Sequence, residues 1–528
     1  MPDRRCGSRR PTPRLRLWGL ESSRLSQRRP ASARGRRVAT LLDRPGIRYP
    51  ILFVLGALLS GLTIRWGINP HDEGLMLQAG ERIADGQLPY RDFYANYGPG
   101  QYFLVGGLDA LFGPSLLSWR ILRVALDAGV AVLAYALTRR DASEPLALAA
   151  WLAVAAAMAF PSIPHPNPTA LALGFGALLL AERRPVLAGA LGGVAAVFRL
   201  DLGVGVIVGA ALAGGRQAAG RVALSGALVA VVLLAPVVLA APGDFADQTL
   251  GFALDEQRMQ RLPLPGAWDG GFEPNKILQH YFAYVLLAGA ALWLVVAARG
   301  RLPARLWAPA PLAAAGVVYL LARADVFHLV PLAAVLPVLL ATAAARERAA
   351  GRTASTLALV AVLALVALHG LDRKRIQLLD PPPLASVDVD VADGVKAPPD
   401  EARALGELSR YVRSRVPPGR PVFVANPRHD LVRVGNPLVY VLVGRPNPTR
   451  YDVMQPGVVT TAAVQREIVA DLERARPELV IRWLSPLADQ REDNDAGRSS
   501  GVRVLDRYLA RAYAPDRRFG DYQVLRRR

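Results

Sequence analysis

Eleven apolar blocks, most of them roughly 15–22 residues long, decide what this chain can fold into. A helix of that length crosses a bilayer core, whereas a buried strand needs only about 4–8 residues. The blocks are 50–65, 119–138, 145–161, 167–181, 185–198, 202–214, 221–241, 279–298, 305–322, 326–343 and 354–370. Only 20% of the 528 residues are charged, 52% are hydrophobic and the mean hydropathy is +0.24, where a soluble chain would carry more charge. The expected fold class is an α-helical multi-pass membrane protein of about eleven spans.

The net charge of +20 resembles a nucleic-acid signal until its distribution is considered. Residues 1–48 hold fourteen arginines against Asp3, Glu21 and Asp43, over half of the total. That tail lacks helical or strand periodicity and reads as a disordered, basic, cytoplasmic segment. Cys6, the only cysteine, lies within it, so no internal disulfide forms. Much of the remaining positive charge lies in short loops: 139–145, 181–185, 214–221, 298–305 and 345–352. Arginine-bearing loops stay on the cytoplasmic side. With the N-terminus inside, all five fall there only if the short block Gln101–Phe112 does not cross. It contains Asp109 and follows Gly98-Pro99-Gly100, which suits an interfacial or re-entrant helix. Residues 66–118 and everything after 370 then lie outside, with Arg139, Arg183, Arg301 and Arg348 inside.

This topology gathers the polar clusters near span ends on one face. They are His71-Asp72-Glu73, Arg91-Asp92, Arg120, His165 with Asn167, Arg199 with Asp201, and Arg323 with Asp325 and His328. Acidic side chains at a membrane boundary are costly and need a reason. Convergence on one side suggests one site.

After Gly370 the composition changes. Residues 371–400 are rich in Pro and Asp and read as a linker between the membrane domain, 49–370, and a small α/β domain, 401–528. There, 401–416, 461–476 and 501–512 have helical character, and 421–425, 438–443, 478–483 and 522–525 read as strands. No phosphate loop or metal-ligand spacing occurs in it.

The Asp72-Glu73 pair after the first span, the Gly-Pro-Gly start of a short helix and the 111–120 segment resemble the GT-C superfamily. These are polyprenyl-phosphate-sugar-dependent glycosyltransferases, among them protein O-mannosyltransferases and lipid A aminoarabinose transferases. The likeness covers the whole chain in layout, and its motifs are specific over about 71–123. It implies that Asp72 is catalytic, and that the chain sits in the plasma or inner membrane with its C-terminal domain extracytoplasmic. The partners implied are a polyprenyl-phosphate sugar donor, membrane lipids and an extracytoplasmic acceptor, with no nucleic acid. Family members often carry a second external acid between the third and fourth spans; this chain has His165-Pro-Asn167-Pro there.

The residue chemistry agrees. Sugar transfer from a lipid phosphate to a hydroxyl needs a base at the acceptor and a cation at the leaving phosphate. Asp72, with Glu73 beside it, supplies the base for an inverting transfer. Arg199 and Arg323 suit the phosphate, while Arg91, Asp92, Asp201, Asp325 and His328 complete the candidate substrate contacts. No nucleotide is required; a divalent cation is left open. Each cluster also has a plainer role, as an ion pair closing a helix end or as acids at a helix N-terminus. Two other classes stay in view: a secondary transporter, which needs mid-membrane charges and related halves, and a non-catalytic assembly subunit.

Overall fold

Proline starts many of the helices, because its missing N–H is harmless in a first turn and its fixed φ suits one. In this computed structural model, Pro99, Pro145, Pro168, Pro185, Pro331 and Pro399 all stand in the first turn of a helix. The structure describes residues 45–162, 165–300 and 302–528. The expectations for the basic tail up to residue 44, Cys6 and Arg301 therefore lie outside the described residues.

The chain divides into two units, 1–50 and 51–528. Helix α1 is Pro45–Gly61. It is followed by α2 (Asp72–Ala84), α3 (Pro99–Phe112), α4 (Leu116–Arg139), α5 (Glu144–Met158), α6 (Asn167–Leu180) and α7 (Pro185–Phe198). Helix α8 (Leu200–Ala240) is broken at Gly215, whose φ is 69°. Then come α9 (Phe282–Gly300), α10 (Ala310–Ala322), α11 (Val330–Ala349) and α12 (Thr353–Leu379). Every apolar block of the sequence is thus helical, and the break in α8 falls between two of them.

Among the described residues, six helices are long and apolar enough to cross a membrane, counting 304–322 and 200–240 once each, and four more apolar helices are shorter. Helix α11 forms the centre, with 83% of its apolar window buried, against 17% for α8 at the periphery. Leu58, Leu224, Leu228, Val231, Leu239, Val318 and Leu357 point outward, as a lipid-facing surface requires.

Residues 371–400, expected as a linker, are folded structure. Helix α12 continues to Leu379, and β1 (Ala385–Ser386) pairs with β2 (Lys396–Ala397). Val387, Val389, Ala392, Val395 and Ala397 are buried in one cluster with Trp119 of α4. Pro and Asp marked turns there, and the intervening valines carried the packing.

The C-terminal sheet has the order β3-β4-β6-β5, formed by Phe423–Ala425, Leu479–Trp483, Tyr522–Arg527 and Tyr513–Phe519. β3 runs parallel to β4, and the other neighbours are antiparallel. Helices α13 (Pro399–Arg415), α15 (Ala462–Ala475) and α16 (Val504–Ala512) accompany it. Leu438–Val443, expected as a strand, is a short helix, α14, and all six of its residues are buried. A short apolar run buried all round shows no period to separate helix from strand. The edge strand β5 escaped notice because Pro515, Arg517 and Arg518 interrupt its pattern.

Candidate active site

The site is built from the N-terminus of α2. The Asp72 amide donates to Asn69 Oδ1 at 3.0 Å, and Asn69 Nδ2 lies 3.4 Å from Asp72 Oδ2. Two acids in a first turn also suit the helix dipole. Their fates then diverge. Glu73 is fully buried, and both its oxygens accept from Arg120, at 2.7 and 2.8 Å. The rest of that guanidinium donates to the carbonyls of Ile64 and Gly67, at 2.9 and 2.8 Å. Glu73 thus ties α2 to α4 and to the chain leaving α1. Arg120 pairs with Glu73 and not with Asp109, whose Oδ2 is buried without a partner.

Two close approaches place the neighbours of Asp72. A Cβ on Gly98 would lie 2.4 and 2.6 Å from the carbonyl oxygens of Val197 and Phe198, so only glycine lets this loop meet the end of α7. That contact brings Tyr97 beside Arg199. A Cβ on Gly74 would lie 2.3 Å from the Leu438 amide, so α14 rests directly on α2.

Arg199 lies between α7 and α8. Its Nη2 and Nε donate to the Asp201 carboxylate at 2.6 and 3.0 Å, its Nη1 donates to Asn167 Oδ1 at 3.0 Å, and it stacks 4.0 Å from the Tyr319 ring. Burial holds the Tyr97 hydroxyl well above its usual range. The Asp72 carboxylate adds to that shift and the Arg199 cation opposes it, so both charges bear on the same phenol. His165 packs edge-on to Tyr97 and stacks on Phe327. Its pKa is held well below the usual value, by burial first and then by His328 and Arg199.

The contacts continue from there. His328 Nδ1 lies 2.6 Å from Asp325, and Asp325 accepts from Arg323. Burial would raise the Asp325 pKa, but the bonds and charges of His328 and Arg323 outweigh it and hold the carboxyl below its usual range. Arg323 also donates to the Gln260 carbonyl at 2.7 Å and to Glu492 at 2.9 Å. Glu492 accepts from Arg433 at 2.6 Å. His71 completes a ring: it bonds to the Gly435 backbone and lies in the field of Arg433 and Arg323. Burial lowers its pKa, against the pull of Asp72.

Four of the six sequence clusters therefore meet: His71-Asp72, His165-Asn167, Arg199-Asp201 and Arg323-Asp325-His328. Arg120 stands behind them with Glu73. Arg91 and Asp92 do not join; they pair with each other at 2.7 Å at the surface. Sequence reasoning missed Tyr97, Tyr319, Arg433 and Glu492. Tyr97 lay inside the stretch singled out, but nothing in the sequence ties a loop near residue 492 to a helix end near 323.

Buried polar atoms without a partner gather along the same elements: His71 Nδ1, Asn96 Oδ1, both amide atoms of Gln101, His165 Nδ1 and Asn167 Nδ2. Native interiors rarely leave such atoms unpaired, so these atoms have bonding capacity to offer a polar ligand or water. Among the described residues no group of three or more His, Cys, Asp or Glu is placed to share a metal ion.

The membrane-type helix bundle, its short helix pair α2–α3 and the small C-terminal sheet together have the fold of two solved structures of one protein. ArnT from Cupriavidus metallidurans, solved bound to undecaprenyl phosphate, shares it at a TM-score of 0.53 and 16% identity, over 94% of this chain and 98% of that one. Its apo state matches at a TM-score of 0.53 and 15% identity, over 92% and 98%. The oligosaccharyltransferase AglB from Archaeoglobus fulgidus is more distant, at a TM-score of 0.47 and 13% identity over 84% and 70%. No protein-family model matches the chain, and no curated protein matches it in sequence.

Proposed function

We propose that this chain is a membrane glycosyltransferase that moves a sugar from a polyprenyl-phosphate donor to a hydroxyl of an extracytoplasmic acceptor, a cell-envelope glycan, lipid or protein. The observation that carries the reading is the gathering at Tyr97 of His165, packed against its ring, and of the charges of Asp72 and Arg199, which both act on its hydroxyl, with unpartnered buried polar atoms on the same elements. The fold shared with ArnT, a protein solved with undecaprenyl phosphate, supports it.

In this reading the acceptor O–H gives its proton to Asp72 as its oxygen attacks the anomeric carbon. The bond from that carbon to the phosphate oxygen breaks, and the lipid phosphate leaves with the electron pair towards Arg199, inverting the configuration. Arg323 and Glu73 act as positioning residues, Arg323 tied to Asp325 and to Glu492 of the C-terminal region and Glu73 to Arg120, while Arg199 gives up part of its Asp201 pairing to the phosphate. Residues 66–118 and 371–528 face outward, with the N-terminus inside the cell, as the loop arginines favour.

The test is transfer from a polyprenyl-phosphate sugar in membranes carrying the full chain. Asp72→Asn is expected to lose about 10²–10⁴-fold of the rate. Full activity in that variant removes Asp72 from the chemistry.

A further inference from the structure

The outer end of α12 carries two cations that the proposed transfer does not use. Lys374 is buried, and its Nζ donates at 2.7 Å to Thr63 Oγ1, a neutral partner. The Arg373 guanidinium lies 3.9 Å from the centroid of the Phe160 ring. Among the described residues it has no hydrogen bond or ion pair.

The nearby acids are engaged elsewhere. Asp372 pairs with Arg375 at 2.7 Å and accepts from Gln279 at 3.2 Å. The two oxygens of Asp127 accept from Arg123 and Ser60, each at 2.7 Å. Asp127 is also the acid whose field reaches Lys374, and there Arg373 opposes it. Arg123 and Lys374 thus share the one carboxylate of Asp127, and Arg373 adds a further cation beside Lys374. Arg373 is half-buried and its guanidinium stays charged, so an anion at its remaining open side would complete the site.

The location indicates which anion. Phe160 begins the 160–166 segment whose His165 lies in the ring around Asp72, and the field of Arg123 reaches His165. Arg373 and Lys374 follow the apolar part of α12, at the level where lipid phosphates lie. We infer that Arg373, Lys374 and the face of Phe160 form a second anion site, distinct from Arg199, which takes the phosphate headgroup of a lipid. This inference does not depend on the transfer reaction. Two sources share the chemistry: an anionic phospholipid, or a polyprenyl-phosphate carrier waiting beside the reaction centre.

Native mass spectrometry of the purified full chain in detergent separates them, with phosphatidylglycerol, undecaprenyl phosphate and zwitterionic phosphatidylcholine as probes. An Arg199→Ala background removes the proposed donor site from the count, so failure of the transfer reading leaves this result unchanged. Retention of one anionic lipid in preference to phosphatidylcholine is expected. Arg373→Gln should weaken it at least about tenfold, and Arg373→Lys should restore most of it. Preference for undecaprenyl phosphate identifies the carrier; equal retention of phosphatidylglycerol identifies bulk lipid. Equal binding by Arg373→Gln and its parent overturns the site. Thermal unfolding gives a second readout: anionic lipid should raise Tm in the parent and not in Arg373→Gln. Without lipid the variant should be no less stable, and a clear loss there would make Arg373 a structural residue.

Discussion

Asp72 and Glu73 are neighbours in sequence, yet they belong to regions built on opposite terms. Behind α2, Glu73 meets Arg120 in a closed set of bonds in which both carboxylate oxygens accept and the guanidinium reaches two backbone carbonyls besides. In front, Asp72 bonds to Asn69, and its helix end is accompanied, among the described residues, by unpaired atoms of His71, Asn96, His165 and Asn167. Satisfied polar groups make a strut; unsatisfied ones leave bonding capacity for something else. The same residue class thus serves as scaffold on one side of a helix and as candidate chemistry on the other.

The sharpest way to break this contrast is to neutralise each carboxylate. Asp72→Asn should lose about 10²–10⁴-fold of transfer with an unchanged melting temperature. Glu73→Gln should do its damage to stability, and a reversed pattern in paired activity and melting assays would overturn the comparison. Arg120→Met, which strands a buried carboxylate, should cost about 3–5 kcal/mol of stability in denaturant titrations. Arg199→Ala, on the open side, should weaken donor use by about 2–4 kcal/mol, measured as kcat/KM for the lipid-linked sugar. Normal turnover would make Arg199 structural like Arg120.

Gly98→Ala tests the join between the regions. Its methyl would strike two carbonyls, so a strain of about 1–3 kcal/mol and a displaced Tyr97 are expected, with activity falling further than stability. The smallest effect belongs to Glu81 at the far end of α2. Burial first, then the carboxylates of Asp109, Asp85 and Asp452, push its pKa up from 4.5 to about 8. The folded state holds that proton more tightly, so its contribution is full below pH 4.5 and is lost as pH rises towards 8. Between those limits the melting temperature of the native chain should fall by about 2–4 °C more than that of Glu81→Gln.

The membrane part was legible in the sequence because hydrocarbon tolerates no polar backbone and so demands long continuous apolar runs. The same rule made boundary charges conspicuous, and four of those clusters do meet. Legibility ended where packing across the chain decides. Leu438–Val443 took helical form because it is wedged against Gly74, and the valines of 387–395 became core because Trp119 waits for them. Whether an acid becomes a strut depends on which arginine it meets; for Glu73 that arginine lies 47 residues away.

The bond from Arg323 to Glu492 has an implication for engineering. In enzymes whose recognition module hangs from a tether, that module is exchanged to change the acceptor. Here the Arg323 end of α10, near the candidate site, is held by a loop of the C-terminal region, and Gly74 lies flush against α14. A transplanted domain would need its own counterpart to Glu492 and a matching surface for Gly74. Exchanging the C-terminal region would therefore also reshape the surroundings of Arg323 and of α2.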